Sequence, residues 1–138
     1  MKKRFLSILT ALCLTLTLLP TAALADGAVR EVSSEQEFRS AITDASSGDT
    51  VKLMEDIWIT PTGEGTRLTP QVSLNTEVTL DLNGYTLGVA ESAHGQSLTY
   101  TPVLLSVETG AKLTITGNGT ITSECGNNNS YCIDVNGG

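Results

Sequence analysis

The sequence predicts an all-β solenoid that follows a single α-helix, and two observations predict it. The hydrophobic pattern changes from the helical period to simple alternation after Gly48. Two later segments, "VSLNTEVTLDLNGYTL" and "VLLSVETGAKLTITGNGTI", then share one order of strand, tight turn, strand, Asn-Gly and strand. Units of this kind must stack to bury their apolar side chains, so we expect strands to pair between coils rather than within hairpins.

Residues 1–25 are predicted to be a secretory signal peptide, which would place the protein outside a bacterial cell or on its surface. Positions 2–4 are basic, positions 5–19 are mostly apolar, and positions 23–25 read Ala-Leu-Ala, which fits a cleavage site. The apolar run is short for a membrane anchor, which needs about 20 residues. The mature chain is therefore expected to have no membrane-spanning segment.

The charge of the chain argues against two classes of partner. It has 8 basic and 15 acidic residues, and removal of positions 1–25 takes basic residues only. Binding to nucleic acid or to an anionic membrane needs a basic surface, so neither is expected as a partner.

Two cysteines remain in the mature chain, Cys125 and Cys132. Export to an oxidising space permits a disulfide between them, but spacing alone does not establish it. Two reduced or separately buried thiols are the equal alternative. Two cysteines and the single His94 do not make a structural zinc site, and neither a metal nor another cofactor is predicted.

Residues 26–48 are assigned to a short lead-in and the helix. Ser34 is the predicted N-cap, and Glu37 follows at the spacing of a capping box. Gly48 is expected to provide a left-handed C-cap. The spacing i, i+3, i+4, i+7 predicts one apolar helix face, made of Phe38, Ala41, Ile42 and Ala45.

Residues 49–138 are assigned to the coils, of which the last is incomplete. Loops are predicted at 60–70, at roughly 90–102 and at 123–130. An antiparallel sandwich is the competing fold, because Asn-Gly is common in hairpins. The recurrence of Asn-Gly at one place in the repeat favours the coil. The alternating apolar residues are Val51, Leu53, Ile57, Ile59, Val72, Leu74, Val78, Leu80, Leu82, Leu87, Val89, Val103, Leu105, Val107, Leu113, Ile115, Ile121, Tyr131, Ile133 and Val135.

Together with the helix, the segments "GDTVKL", "LDLNGYTL" and "GAKLTITGNGTI" resemble secreted bacterial surface proteins of the pectin-lyase-like superfamily. The resemblance runs from about Ser34 to Gly138. It implies a right-handed parallel β-helix whose N-terminal end is capped by the helix. Members of this superfamily include polysaccharide lyases, glycoside hydrolases, adhesins and passive stalks. Because "VNGG" leaves a coil unfinished, we expect the chain to be part of a longer protein.

The candidate catalytic residues do not form a constellation. Asp81 lies on a repeat strand, but Thr116 is its expected counterpart in the next coil, so no ladder of acids forms. Glu55 and Asp56 fit a turn better than a calcium site, which needs six or more oxygens. His94 has no partner motif. No catalytic site is predicted in this span, and an enzyme is not favoured.

The aromatic residues are better candidates for binding. Trp58 stands between Ile57 and Ile59 and so points away from them in a strand, where an indole can stack on a sugar ring. Packing under the helix or a loop is the alternative for Trp58. Tyr85, near a turn, is the second candidate ligand-binding residue.

The Asn-Gly dipeptides are interpreted as structural turns. Asn83 and Asn118 are expected to be equivalent, with an amide that donates to the backbone of the neighbouring coil. Gly84 and Gly119 are expected to adopt the dihedral angles that other residues disfavour.

These observations predict a secreted or cell-surface β-helix segment with a structural, adhesive or glycan-contacting role. Its expected partner is a polysaccharide or cell-wall glycan. The alternative is the non-catalytic N-terminal part of a polysaccharide lyase or glycoside hydrolase whose active site lies beyond residue 138.

Overall fold

The computed structural model describes residues 27–62, 68–90, 101–123 and 131–136. The predicted signal peptide, His94 and Cys125 lie outside these ranges. The described residues form one helix and ten strands: β1 Val29–Val32, α1 Glu35–Thr43, β2 Asp49–Leu53, β3 Ile57–Ile59, β4 Leu68–Leu74, β5 Glu77–Asp81, β6 Thr86–Val89, β7 Thr101–Val107, β8 Lys112–Thr116, β9 Thr120–Ser123 and β10 Tyr131–Val135.

The strands form three separate parallel sheets. Sheet 1 has the order β1-β2-β5-β8, sheet 2 has β3-β6-β9, and sheet 3 has β10-β7-β4. From β2 onward the chain enters sheets 1, 2 and 3 in that order and then repeats the order. Each pairing among the described strands is parallel, which excludes the antiparallel sandwich for this part of the chain. The prediction of a mostly-β chain with parallel strands is confirmed.

The register matches the equivalences read from the repeat. Asp81 is opposite Thr116 in sheet 1, as predicted. In sheet 3, Asp134 and Val135 are opposite Ser106 and Val107. A parallel register of this kind places the same face of successive strands above one another, so apolar residues that point inward form rows, such as Val51, Leu80 and Ile115.

The core is built from these rows. The fully buried side chains include Val51, Leu53, Ile57, Ile59, Leu74, Val78, Leu80, Leu87, Val89, Leu104 and Leu105. Burial decreases at the last strand of sheet 1. Leu80 is 0% exposed, whereas Ile115, its register partner on β8, is 42% exposed.

The helix begins at the predicted N-cap and ends before the predicted C-cap. The Ser34 hydroxyl accepts a hydrogen bond from the Glu37 N–H (3.3 Å). The Glu37 carboxylate accepts from the Ser33 N–H, one residue before the N-cap. The prediction of a Gly48 C-cap is wrong, because the helix ends at Thr43 with Asp44 as its cap. Gly48 does have a positive φ of 92°, but it belongs to the turn that enters β2.

Part of the predicted lead-in is a strand. β1 pairs in parallel with β2, and the buried Asp49 carboxylate holds the two segments together. It accepts hydrogen bonds from the Ala28 N–H (2.8 Å), the Ser46 N–H (3.0 Å) and the Arg30 Nε (3.1 Å). The Ser46 N–H is the main cause of the lowered pKa of Asp49, and Ala28 and Arg30 add to it against the opposite effect of burial.

Two strands begin inside predicted loops. β4 starts at Leu68 and β7 at Thr101, and these two residues are opposite each other. Pro70 and Pro102 both lie in strands, although proline cannot donate to a sheet. Pro70 is tolerated because β4 is the edge strand of sheet 3, and Pro102 lies near the start of β7.

Arg39 fastens the helix to two of the sheets. Its Nη1 donates to the Gln71 carbonyl on β4, and its Nη2 donates to the Thr60 carbonyl after β3 (3.3 Å). Gln71 lies in β4 and Thr60 directly follows β3, and these two strands are the edge strands of their sheets among the described residues. Phe38, at 0% exposure, extends from the apolar face of the helix into the hydrophobic core.

Candidate functional site

Trp58 is the large aromatic side chain on the outer face of sheet 2. Its neighbours Ile57 and Ile59 are buried, whereas Trp58 is 37% exposed. The structure therefore has the predicted alternation. Trp58 is not buried under the helix or a loop. An indole that is partly held and partly open can present a ring to a ligand.

A glycine makes room for the indole. Trp58 is opposite Gly88 on β6, and the six-membered ring lies where a Gly88 side chain would be. A Cβ atom on Gly88 would overlap Cζ3 and Cε3 of the ring and would lie 3.1 Å from Cη2. The indole is thus supported by the backbone of the adjacent strand, which limits the entropy that it would lose on binding.

Polar groups flank the indole along the chain. Two residues before it, the Asp56 Oδ1 accepts from the Thr86 N–H (2.7 Å). Two residues after it, the Thr60 hydroxyl donates to the Glu35 Oε2 (2.9 Å). Asp56 directly precedes β3 and Thr60 directly follows it, so these polar groups lie at the two ends of the short strand that carries Trp58.

Glu35 and Arg39 complete the polar border on the helix side. The Arg39 Nε donates to the Glu35 Oε1 (2.9 Å). Partial burial acts to raise the pKa of Glu35, but hydrogen bonds from Thr60 and Arg39 outweigh it and leave the pKa below its ordinary value. Glu35 is therefore an anion at neutral pH, suited to accept hydrogen bonds and not to act as a general acid.

The surface around Trp58 is acidic. Glu55 and Asp56 are exposed just before it, and the guanidinium of Arg39 is already bonded to Glu35 and to two carbonyls. Such a surface can stack on a ring and accept hydrogen bonds from hydroxyl groups, and it disfavours anionic ligands. Within the described ranges, no three His, Cys, Asp or Glu residues are placed to hold a metal ion.

Tyr85 does not join the Trp58 surface. It is half-buried and packs against the hydrophobic core. Its carbonyl accepts a hydrogen bond from the Thr120 N–H (3.1 Å), which links the turn before β6 to β9. We assign Tyr85 a packing role, so of the two candidate aromatic residues only Trp58 presents an open ring.

The Asn83 turn has the predicted contact with the neighbouring strand. The Asn83 Nδ2 donates to the Leu53 carbonyl at the end of β2 (2.9 Å), 30 residues earlier in the chain. Asn83 has a φ of 49° and Gly84 a φ of 88°, so both are in the left-handed region. The Asp81 carboxylate accepts a hydrogen bond from the Asn83 N–H (3.0 Å), so this acid stabilises the turn.

The second Asn-Gly turn differs from the first. The left-handed glycine is Gly117 (φ 75°), so the prediction of an unusual φ at Gly119 is wrong. Gly119 is required for a different reason. A Cβ atom there would overlap the Tyr85 carbonyl oxygen and lie 2.6 Å from the Leu82 Cβ. The Asn118 side chain is exposed and makes no hydrogen bond to any other residue that the structure describes.

Replacing Asn83 with alanine should lower the free energy of unfolding by about 1–3 kcal/mol, because the Leu53 carbonyl loses its donor and alanine disfavours a positive φ. Urea denaturation measures this difference. The matched control is Asn118→Ala, which should change stability by less than about 0.5 kcal/mol. Equal losses in the two variants would contradict the asymmetry between the turns.

The predicted disulfide involves Cys125, which lies outside the described ranges, so the bridge stays a prediction. In its reduced form Cys132 is a half-buried thiol whose S–H donates to the Ile121 carbonyl (3.8 Å). Burial raises the pKa of this thiol, which makes it a poor nucleophile at neutral pH.

An open groove lies between α1 and β1, with a volume of about 540 Å³. Its lining is mostly polar and includes Arg30, Glu31, Gln36 and Ser40. Its lining does not include Trp58, Gly88 or the polar residues around the indole, namely Glu35, Arg39, Asp56, Thr60 and Thr86. No helix in the described part of the chain is long and apolar enough to span a bilayer.

Comparison with known proteins gives no match: no family model, no curated protein and no solved structure is significantly similar to this chain.

Sequence reasoning missed three residues of the Trp58 border, namely Glu35, Arg39 and Thr60. The i, i+4 spacing of Glu35 and Arg39 is a sequence signal for their ion pair. Nothing in the sequence indicates that the pair meets Thr60, because that contact depends on how α1 lies across the sheets.

Proposed function

We propose that this chain is a segment of a right-handed parallel β-helix that is exported from a bacterial cell and contacts glycan there, in a structural or adhesive role. The observation that carries the glycan contact is Trp58, an open indole supported by Gly88 on the outer face of a sheet. Export rests on the sequence of residues 1–25.

The order of the strands supports the β-helix. Sheets 1, 2 and 3 are entered in a fixed order, each strand pairs in parallel with the strand one cycle later, and the core rows run through successive cycles. A coil of three strands per turn gives this pattern, because every return to a sheet adds one strand beside the last. Placing α1 across the first strands of sheets 2 and 3, through Arg39, fits a helix that caps one end.

The polar border supports a sugar as the ligand. Sugars offer an apolar ring face for stacking and hydroxyl groups that donate to carboxylates such as Glu35 and Asp56. The acidic surroundings favour a neutral glycan over a polyuronate.

Replacing Trp58 with alanine should weaken binding of a neutral glycan about tenfold or more, because the stacking surface is lost. Affinity electrophoresis in gels that contain a soluble neutral glucan or mannan measures this. Trp58→Tyr should retain most of the affinity. Val29→Ala is the matched control, since Val29 is 62% exposed and lies in β1, in another sheet.

Two results would contradict this proposal. If neutral and acidic cell-wall polysaccharides all leave the wild-type mobility and its tryptophan fluorescence unchanged, Trp58 is not a glycan contact. If Trp58→Ala binds as the wild type does, binding occurs elsewhere on the chain.

A second candidate function is the non-catalytic N-terminal part of a polysaccharide lyase or glycoside hydrolase. One observation favours it: residues in core rows are uncovered on β8 to β10, where Ile115 is exposed and Leu113, Ile121 and Ile133 are only half-buried. Further coils would cover them and could carry the active site. Lyase activity of a longer reading frame on polygalacturonate, seen as ultraviolet absorbance of the unsaturated product, distinguishes this candidate.

A further inference from the structure

We propose that Asn118-Gly119 is a site of spontaneous deamidation and that the fold holds the side chains of Asn83 and Asn136, the asparagines of the two other Asn-Gly dipeptides in the sequence, and so protects them. The three dipeptides are the same in sequence. What distinguishes them is the set of hydrogen bonds made by each asparagine side chain.

The reaction needs no catalyst other than water. The backbone nitrogen of the glycine attacks Cγ of the asparagine, a nitrogen–Cγ bond forms, and the Cγ–Nδ2 bond breaks. The displaced nitrogen leaves as ammonia and takes up the proton that the glycine nitrogen loses. Water then opens the cyclic imide at either carbonyl and gives aspartate or isoaspartate.

Asn118 is free to react. It lies between the end of β8 and the start of β9, and its side chain is exposed. Neither its carboxamide nor the Gly119 N–H is hydrogen-bonded to another residue in the described ranges. The carboxamide can therefore rotate towards the Gly119 nitrogen without breaking a hydrogen bond to any residue that the structure describes.

Asn83 is held in place. Its Nδ2, the atom that must leave, donates to the Leu53 carbonyl (2.9 Å), and its φ is fixed at 49° by the turn. Rotation of the carboxamide towards the Gly84 nitrogen breaks this bond and leaves a strand-end carbonyl without its donor.

Asn136 is held in the same way. Its Nδ2 donates to the Ser106 Oγ (2.8 Å), and its own N–H donates to the Val107 carbonyl (2.9 Å). Ser106 is fully buried and its hydroxyl donates to the Glu108 carboxylate (2.8 Å), so loss of the Asn136 bond leaves the buried Ser106 Oγ without the donor from which it accepts.

Isoaspartate at position 118 would disturb the adjacent strand. It adds one atom to the backbone just before Gly119, which already packs against the Tyr85 carbonyl and Leu82. The Thr120 N–H then moves away from the Tyr85 carbonyl that it binds at 3.1 Å. Modification is thus expected to loosen β9 from β6 as the protein ages.

Peptide mapping by mass spectrometry tests the proposal on the purified 138-residue chain, incubated at mildly alkaline pH both folded and in urea. Deamidation adds about 1 Da, and fragmentation assigns it to a residue. In the folded protein, position 118 should react about tenfold faster than positions 83 and 136, the factor that one hydrogen bond confers. In urea the rates at the three positions should become similar.

Three results would overturn the proposal. The first is a folded chain in which Asn83 or Asn136 reacts as fast as Asn118. The second is a rate ratio that stays the same in urea, since it would then come from local sequence. The third is an unmodified Asn118 at the time when half of the urea-treated chain has reacted. The control Asn118→Gln should lose the fast mass increase and keep the thermal stability of the wild type.

Discussion

Replacing Leu80 with alanine is expected to lower the free energy of unfolding by about 2–5 kcal/mol, the range for a fully buried leucine. Leu80 is 0% exposed and lies in the central part of sheet 1, between β2 and β8. The cavity is enclosed by neighbours in the same row, Val51 and Ile115, which parallel pairing prevents from moving inward. Denaturation in urea, followed by circular dichroism, measures the change.

The matched control is Ile115→Ala in the next strand of the same row. Ile115 is 42% exposed, so the loss should be only about 1 kcal/mol. Equal losses at positions 80 and 115 would mean that the two side chains are buried alike, which would contradict the 42% exposure of Ile115 on β8.

Replacing Asp49 with asparagine is expected to lower the midpoint of thermal unfolding by several degrees at pH 7. The carboxylate is buried and accepts hydrogen bonds from the Ser46 and Ala28 N–H groups and from Arg30. Asparagine removes the negative charge and offers one acceptor oxygen in place of two. The junction of β1, the helix end and β2 loses the group that joins them.

The effect should depend on pH in a defined direction. Because the pKa of Asp49 is lowered in the folded state, the unfolded chain binds the proton first as the pH falls. The advantage of the wild type over Asp49→Asn is therefore complete above about pH 5 and is lost as the pH falls from the ordinary aspartate value towards the lower folded value. Thermal scans from pH 7 to pH 2 measure it.

Glu55→Gln serves as the control, because Glu55 is an exposed acid in the turn before β3. Its stability should follow that of the wild type at every pH. A constant difference between the wild type and Asp49→Asn across the whole range would show that the charge of Asp49 does not contribute to stability.

Most of the strand positions could be predicted from sequence, because successive side chains of a strand point to opposite faces and only the inward face is buried. Val51, Leu80 and Leu105 were assigned to inward rows, and all three are fully buried. Strand β1 was missed because its four residues have no clear alternation, and because its pairing with β2 and its contacts with Asp49 join residues that are distant in the sequence. The starts of β4 and β7 were missed because Pro70 and Pro102 are ordinarily loop signals.

The candidate site was predictable only in part. The exposure of Trp58 follows from its place between two buried isoleucines. The border of Glu35, Thr60 and Arg39 depends on helix placement, which the sequence does not encode locally. The two Asn-Gly turns were also predictable only in part.

The repeat identified Asn83 and Asn118 as equivalent, yet the left-handed residue in the second turn is Gly117. The connection between β8 and β9 is shorter than the one between β5 and β6, and it must pass close to Leu82.

The parallel pairing has a consequence for how fast the chain can fold. The contact between Asn83 and Leu53 joins residues 30 apart, and the strand pairs around it are similarly distant in sequence. The described strands form no hairpin that could fold early, so the chain loses the entropy of closing long loops before it gains from strand pairing. The shortest-range contacts lie where the helix meets β1 and β2. Folding is expected to start at that end and to proceed strand by strand, on the millisecond-to-second scale of non-local β topologies.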